Sequence, residues 1–162
     1  MKSKQDKPLN NEEKATNLET MKHIGTVGYF INIVIKELLT RAEEHDKSKL
    51  IAPEVSWFTE YTPKLANCEY GSSEYNEFLK ELKVALEHHY ANNSHHPEHY
   101  ENGVNGMNLI DVIEMFCDWR AATLRHRRGD LSNSIKVNAD RFNLDEQLVS
   151  IFNNTVKLFE SK

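Results

Sequence analysis

The stretch Glu87–His99 reads EHHYANNSHHPEH, and five of the eight histidines of the chain lie in it. They are His88, His89, His95, His96 and His99. Imidazole is the commonest metal ligand in proteins, so the cluster indicates either a metal site or a histidine-rich surface loop without a role. Because the residues before it follow a helical pattern and Pro97 cannot continue a helix, we expect a helix from Glu74 to about Asn92 and a bend after it.

The same helical periodicity extends outward from this stretch in both directions. Apolar residues recur at helical spacing between Ile24 and Leu39, and Thr16 with Glu19 predicts a capping box that opens a helix ending near Glu44. Pro53 and the pair Thr62-Pro63 each predict the start of a short helix. Glycines at positions 71, 103 and 106 indicate turns or loops.

The last third of the chain carries two further helix signals. Asn108 with Asp111 predicts a cap, and the helix that follows should run to about Arg127 before Gly129. Asn143 with Glu146 predicts the cap of a final amphipathic helix. No segment alternates apolar and polar residues as a strand does. The sequence therefore predicts an all-α, single-domain helical bundle of about five principal helices.

Length and charge narrow the class of protein. The 162 residues fit one domain, which we place at residues 16–162 behind a flexible polar tail at residues 1–15. A net charge of −5 gives no strong nucleic-acid signal and no reason to expect binding to an anionic membrane. The start of the chain has no apolar run typical of a signal peptide, so we expect a cytoplasmic protein. The sequence leaves homo-oligomerisation open.

Three acidic residues interrupt the apolar helix that follows Asn108. Asp111, Glu114 and Asp118 fall on one stripe among residues such as Met115. Buried carboxylates are costly unless they are paired, hydrogen-bonded or bound to metal. Asp111 is accounted for as a helix cap. Asp118 lies too deep in the helix for a cap, which leaves a salt bridge to Arg41 or Arg125, or metal ligation.

Histidine and aspartate in earlier segments strengthen the metal interpretation. His23 lies on the apolar face of the first long helix, and the pair His45-Asp46 follows the end of that helix. Each alone is ordinary, because a histidine on an apolar face is usually a core residue and a His-Asp pair is common at a surface. Together with the cluster at 88–99 and Asp118, four separate segments supply residues of the type that bind metals.

The order of these residues resembles the HD-domain superfamily of metal-dependent phosphohydrolases. The segment His45-Asp46-Lys47-Ser48-Lys49 resembles the HDxxK motif of that superfamily, and His88-His89 resembles the paired histidines that some members use for a second metal. The resemblance implies an HD-like fold and a metal site with His23, His45, Asp46 and Asp118 as core ligands. It adds His88, His89, His95 and His96 as further ligands. The crowding of the later histidines and the short spacing from His23 to His45 depart from the usual pattern.

The chain also resembles a small uncharacterised family found in bacteria and their phages. The likeness extends over about residues 20–160 and includes the segments HDKSK, HHYANNSHHPEH and EMFCDWRAAT. It implies a cytoplasmic location in a bacterium or a phage-infected bacterium. It implies no known activity.

The chemistry expected of such a site is hydrolysis of a phosphate ester. Imidazole and carboxylate ligands suit one or two divalent ions from among Mn, Fe, Co, Zn and Mg. A metal-activated water would attack a small-molecule phosphate substrate, most readily a nucleotide. Lys49 and Arg125 are candidates to bind the phosphate, while Glu114 could orient a ligand histidine or transfer protons. Asn138 and Arg141 could reach the site from the far side.

Two other classes of function stay open. A ligand set of this kind also serves di-iron oxygenases of the HD type, which would contain iron and consume oxygen. Alternatively, the chain is a non-catalytic helical module that binds a metal structurally, or binds a partner through an arginine-rich face. That face would consist of Arg120, Arg125, Arg127 and Arg128. A structural metal would have a closed ligand shell without a position for water.

Overall fold

A computed structural model describes residues 8–68, 72–125 and 129–160 of the chain. These residues form helices and connecting segments without a strand, which confirms the all-α prediction. The described residues contain seven α-helices rather than about five: α1 (Asn11–Glu44), α2 (Glu54–Asn67), α3 (Ser73–Glu81), α4 (Lys83–Asn92), α5 (Leu109–Thr123), α6 (Leu131–Phe142) and α7 (Glu146–Glu160). Short 3-10 helices occur at Lys47–Leu50, Pro97–His99 and Gly103–Gly106.

The chain divides into two compact units, Met1–Thr40 and Arg41–Lys162. In the first unit, α1 begins at Asn11 and not at Thr16. A capping box places it there, because the side chain of Asn10 accepts a hydrogen bond from the Glu13 amide at 2.9 Å and the Glu13 carboxylate accepts one from the Asn10 amide at 2.7 Å. Residues 11–15 of the predicted tail are therefore helical, and residues 1–7 lie outside the described part.

The second unit buries two groups of apolar side chains. The larger joins α5, α6 and α7, and it consists of Met115, Phe116, Trp119, Leu131, Ile135, Phe152 and Val156. The smaller joins α2 and α4 and is built on Tyr61, Leu82 and Ala85. No histidine or carboxylate of the site described below belongs to either group, so the packing of this unit and its polar site use different side chains.

Several predicted boundaries in the second unit are wrong. Pro63 does not start a helix but lies inside α2, where packing of Trp57, Phe58 and Tyr61 outweighs the one missing backbone hydrogen bond. The expected helix from Glu74 to Asn92 is divided into α3 and α4 at Leu82, a residue that is 2% exposed.

The region after α5 differs most from the prediction. Helix α5 ends at Thr123, before Arg127, and α6 was not predicted. Asp130 caps α6 by accepting a hydrogen bond from the Ser132 amide at 2.8 Å. Asn143 is not the cap of the last helix: it ends α6 with a φ of 49°, and Asp145 accepts the amide of Gln147 instead.

Helix α5 begins as predicted and supplies one wall of the polar site. The Asn108 side chain accepts hydrogen bonds from the amides of Ile110 and Asp111, and the Asp111 carboxylate accepts one from the Asn108 amide. The helix is not buried all round, because Leu109 is 67% exposed and Cys117 is exposed as well. Among the described helices, none combines the length and the apolarity that a bilayer crossing requires.

Candidate metal centre

The His45-Asp46 pair is placed by the way α1 ends. The helix stops at Glu44, and Asp46 adopts a left-handed conformation with φ 57° and ψ 14°. Aspartate tolerates this region better than most residues, and a left-handed residue directly after a helix reverses the chain direction. The turn leads into the 3-10 helix at Lys47–Leu50 and leaves both side chains of the pair half-buried.

The loop after α4 brings three histidines together. Helix α4 ends at Asn92, and the buried side-chain amide of Asn93 donates a hydrogen bond to the carbonyl of His89 at 2.7 Å. Pro97 then begins a 3-10 helix, so residues 93–96 form the bend that the sequence predicted. The bend returns His96 to within 2.9 Å of His89, measured between the two Nε2 atoms.

Asp46 lies at the centre of the group. Its Oδ1 atom is 3.2 Å from His89 Nε2 and 3.6 Å from His95 Nε2. Its Oδ2 atom is 3.6 Å from His45 Nε2, which in turn lies 3.8 Å from Asp118 Oδ1. Two adjoining sets of ligand-type atoms share Asp46: Asp46 with His89, His95 and His96, and Asp46 with His45 and Asp118. A third set joins His45 and His95 to Glu114.

The atoms in the first set have the separations that a metal ion requires. Bonds of 2.0–2.1 Å to a tetrahedral ion place neighbouring ligand atoms roughly 3.3 Å apart. Among the described residues, Asp46 Oδ1 and His95 Nε2 are the buried side-chain atoms that have no hydrogen-bond partner. Leaving both without a partner is costly, and a cation would satisfy both at once. The side chains thus fit a divalent metal ion.

Glu114 contacts the imidazole rings of His45 and His95 at their Nδ1 atoms, on the side away from Nε2. Its Oε1 atom lies 2.9 Å from His45 Nδ1 and 3.1 Å from His95 Nδ1. An imidazole that donates its Nδ1 proton to a carboxylate presents the lone pair of Nε2 on the other side of the ring. The prediction that Glu114 orients a ligand histidine therefore agrees with its position, and it contacts two histidines instead of one.

Glu54 has the same relation to His89 and was not identified from the sequence. Its side chain is completely buried, and Oε2 accepts hydrogen bonds from His89 Nδ1 at 2.9 Å and from Ser48 Oγ at 3.0 Å. Its other oxygen is 2.7 Å from His88 Nδ1. Following Pro53, Glu54 looks in sequence like an ordinary acidic residue in the first turn of a helix. Only the packing of α2 against α4 makes it part of the site.

Arg41 holds the acidic residues of α5. Its guanidinium lies 2.6 Å from Asp111 Oδ1 and 2.9 Å from Glu114 Oε2. Asp111 is completely buried and also accepts hydrogen bonds from Ser94 and Tyr100. A salt bridge to Arg41 was one of the alternatives for Asp118, but Arg41 pairs with the acidic residues one and two turns earlier on α5. Asp118 Oδ1 lies 3.8 Å from His45 Nε2, and its role as a metal ligand stays a prediction.

The surroundings shift the acidities toward the forms that bind metals. Burial alone would raise the pKa of Asp46, but the imidazole of His89, 3.2 Å from Oδ1, and pairing with Lys49 hold it well below its usual range. Burial likewise opposes ionisation of Glu114, yet hydrogen bonds from His45 and His95 lower its pKa to about 2. Burial, with His95 and His89 nearby, lowers the pKa of His96 to about 3. Near neutral pH these groups are two carboxylates and a neutral imidazole.

His45 behaves differently. Its hydrogen bond to Glu114 outweighs the effect of burial and, with the charges of Asp46 and Asp118, raises its pKa above the ordinary histidine value. A metal ion that binds Nε2 of His45 must therefore compete with a proton more strongly than at an ordinary histidine.

Lys49 lies beside the same aspartate. Its Nζ atom is 2.7 Å from Asp46 Oδ2 and 5.4 Å from the centre of the Phe58 ring. Its side chain is 33% exposed, so the ammonium group is at the edge of the site and accessible to an anion.

A cavity of about 230 Å³ adjoins the metal-ligand side chains. Its lining includes three of the metal-ligand side chains, His95, His96 and Asp118, and two polar side chains of α6, Asn138 and Arg141. Aromatic and apolar side chains complete the lining, among them Tyr90, Met115, Trp119 and Phe142. The prediction that Asn138 and Arg141 reach the site agrees with this arrangement, although the helix that carries them was missed.

Other predicted site residues lie elsewhere. His23 is exposed on α1 in the first unit and belongs to no group of metal-ligand atoms among the described residues. His88 contacts Glu54 and not the two sets, and His99 Nδ1 donates to the carbonyl of Tyr90. Arg125 is exposed beyond the end of α5 and does not line the cavity. Arg127 and Arg128, expected in an arginine-rich face, lie outside the described residues.

Comparison with known proteins assigns the chain to a family without assigning a function. Residues 12–158 match a family of unknown function, DUF5662, and because the match extends over most of the chain, the protein belongs to that family. No curated protein and no solved structure matches the chain. The chemistry of the site must therefore be argued from its own residues.

Proposed function

We propose that this protein is a metal-dependent phosphohydrolase whose metal centre is built on Asp46. The observation that carries the proposal is the pair of buried atoms without partners, Asp46 Oδ1 and His95 Nε2, in the middle of converging imidazole Nε2 atoms and next to a cavity. Perturbed acidities in a cleft are typical of functional sites. The resemblance of His45-Asp46 and Lys49 to the HDxxK motif supports the same assignment.

The ligands we propose are His45, Asp46, His89, His95, His96 and Asp118. Because both oxygens of Asp46 face imidazole Nε2 atoms, this carboxylate is suited to serve two neighbouring ions, one in each ligand set. Four imidazoles with carboxylates favour Mn²⁺, Fe²⁺, Co²⁺ or Zn²⁺ over Mg²⁺, which prefers oxygen ligands. His23 is left out of this ligand set.

When bound, the metal supplies a water of lowered pKa and polarises a phosphoryl oxygen. The chain itself provides orientation and charge. Glu114 and Glu54 hold three imidazole rings with their Nε2 atoms directed at Asp46 and its neighbours. Lys49 places a positive charge next to Asp46, where it can pair with a phosphate oxygen.

The cavity favours an enzyme over a structural metal site. A structural site encloses its ion completely, whereas here the side chains of His95, His96 and Asp118 line an open volume. A substrate in the cavity would meet these side chains directly.

Metal reconstitution with a phosphate-release screen tests the proposal. Chelator-treated protein would be incubated with Mn²⁺, Fe²⁺, Co²⁺, Zn²⁺ or Mg²⁺ and with sugar phosphates, nucleotides and simple phosphate esters. We expect release with at least one transition metal and none from an Asp46→Asn variant. Bound iron with oxygen consumption and no phosphate release would replace the hydrolase by an oxygenase. Stoichiometric metal without either reaction would indicate a structural role.

A further inference from the structure

The shape and polarity of the cavity point to a narrower class of ligand. We infer that it binds the phosphate ester of a sugar or polyol, with the hydroxylated end held by Asn138 and Arg141; this rests on the proposed hydrolase. At about 230 Å³, the cavity is smaller than the roughly 300–1,000 Å³ that drug-sized ligands occupy, so a complete nucleotide would extend outside it.

The polar residues that α6 contributes to the cavity suit neutral hydroxyl groups. The guanidinium of Arg141 is paired with Glu98 at 2.6 Å, which balances its charge but leaves further N–H donors in its planar group. Asn138 donates its amide to the carbonyl of Ser134 at 3.0 Å, so the orientation of its side chain is fixed. Ser134, Asn138 and Arg141 together offer donors and acceptors without a strong net charge.

The cavity lining also contains the aromatic side chains of Tyr90, Trp119 and Phe142. Trp119 is stacked on Phe142 with the ring centres 6.3 Å apart, and Tyr90 lies next to His96. Aromatic faces pack well against the C–H faces of a sugar or polyol, while hydroxyl groups at the rim find polar partners. The distribution of polar and apolar side chains therefore matches a small hydroxylated body with a phosphate at the metal end.

Kinetics on the metal-loaded protein tests this inference. The probes are a hexose monophosphate, glycerol phosphate, a nucleoside monophosphate and phenyl phosphate, which has no hydroxyl groups. We expect Asn138→Leu and Arg141→Met to lower kcat/KM about 10-fold to 100-fold for the hydroxylated esters, mainly through KM, since each loses hydrogen bonds of about 1–3 kcal/mol. Phenyl phosphate hydrolysis and metal content should not change. Lys136→Met, at an exposed position of the same helix, is the matched control.

Calorimetric titration with the same probes separates this inference from the proposed function. Binding of the hexose or glycerol phosphate that depends on Asn138 and Arg141, without phosphate release, would retain the binding site and refute the hydrolase. Preference for the nucleoside monophosphate, or variants with wild-type binding and kinetics, would overturn the inference.

A separate observation concerns the first unit. We propose that α1 is the surface through which two copies of this chain associate. The described part of this unit, residues 8–40, contains one helix, and none of those residues is buried. Eleven large apolar side chains of α1 are at least 38% exposed: Leu18, Met21, Ile24, Val27, Tyr29, Phe30, Ile31, Ile33, Val34, Ile35 and Leu39. Patches of this size on soluble proteins mark interaction sites.

The spacing of these residues favours a second copy of the same helix as partner. Ile24, Val27, Ile31, Val34 and Leu38 alternate steps of three and four residues, the pattern of a coiled-coil seam with β-branched residues. Four residues of this seam, Ile24, Val27, Ile31 and Val34, are 38–62% exposed, so a partner helix packed along it would bury a continuous row of apolar side chains. A helix of the same length and pattern would bury this seam along its whole extent.

The oligomeric state of the full chain tests the proposal. Light scattering and sedimentation should give twice the 18.8 kDa mass of one chain for the wild type. The double substitution Ile31→Lys and Val34→Lys should give a monomer with unchanged metal content. Thr26→Lys, which adds one lysine charge outside the seam, should stay dimeric. A monomeric wild type, or a dimer that survives the double substitution, would overturn the proposal.

Discussion

At the scale of single residues, Asp46 combines an uncommon backbone conformation with a central position. We predict that Asp46→Asn lowers the affinity for the metal by at least about 100-fold, because one ligand of both sets loses its charge. Asparagine tolerates the left-handed conformation with φ 57°, so the helical content should not change. Isothermal titration with Mn²⁺ or Zn²⁺, together with circular dichroism, measures both quantities.

Asp140→Asn serves as the control for that substitution. Asp140 is an exposed residue of α6, and its variant should bind metal as the wild type does. Full retention of metal by Asp46→Asn would remove Asp46 from the site.

Glu54 offers a test of a residue that contacts a proposed ligand, His89, and is not a proposed ligand itself. We predict that Glu54→Gln weakens metal binding about 10-fold to 100-fold. A neutral amide polarises the His89 ring less than a carboxylate does, so the lone pair of Nε2 becomes a weaker metal ligand. Glu60→Gln, on the same helix but exposed and paired with Lys64, should have no effect on metal affinity. Equal affinities for the two variants would show that Glu54 stabilises the fold without tuning the metal ligand.

His96 predicts a pH dependence in the chelated protein. Its pKa is about 3 in the folded state against the ordinary 6.5, so the folded protein binds fewer protons than the unfolded chain between these values. Stability contributed by neutral His96 is thus lost as the pH falls below 6.5. When the pH falls from 6.5 to 4, the unfolding free energy of the wild type should decrease. The decrease should be smaller by about 1–3 kcal/mol in the His96→Asn variant, which lacks the titrating group. Urea titrations at each pH measure the unfolding free energy of both proteins. The same pH dependence in the two would contradict the lowered pKa of His96.

Residue types in the sequence indicated a candidate metal centre but did not identify all of the residues that form it. Asp46, His89, His95, His96 and Asp118 were all candidates on sequence grounds. Glu54 could not be recognised, because its role depends on a contact with a residue 35 positions away. His23 was included for its residue type and by resemblance, and nothing in its local sequence distinguishes a ligand from an exposed histidine.

At the scale of secondary-structure elements, Arg41 links the end of α1 to α5. We predict that Arg41→Gln lowers the unfolding free energy by roughly 3–5 kcal/mol, since the carboxylates of Asp111 and Glu114 would stay buried without their cation. Lys36→Gln, at an exposed position of the same helix, should change it by less than about 0.5 kcal/mol. Urea unfolding of both variants is the measurement, and a loss below about 1 kcal/mol for Arg41→Gln would contradict the account.

The elements that could be predicted were those with local signals. The capping box at Asn108 and the end of α1 near Glu44 follow from nearby residues. Helix α6 was missed although Leu131, Ile135, Asn138 and Phe142 share one helical face and Asp130 caps it. The glycine before it, Gly129, predicted only the end of the preceding helix. The passage of α2 through Pro63 depends on tertiary packing, which local patterns do not contain.

At the scale of the whole molecule, fold and metal centre depend on different residues. The apolar groups around Phe116 and around Leu82 contain none of the proposed ligands, so the helices should persist without metal. Saturating metal at 100 times its dissociation constant should still add about 2.7 kcal/mol. We therefore predict that chelation lowers Tm by about 5–10 °C with little change in helicity. A Tm that does not respond to chelator would indicate that the folded protein does not bind metal.

The central claim is that the side chains around Asp46 hold a divalent metal ion. Elemental analysis of protein purified without an affinity metal column tests this claim most directly. The account predicts one to two equivalents of a transition metal per chain, reduced to a small fraction of that in the Asp46→Asn variant. Absence of metal in the purified protein and after incubation with Mn²⁺, Fe²⁺, Co²⁺ and Zn²⁺ would contradict it.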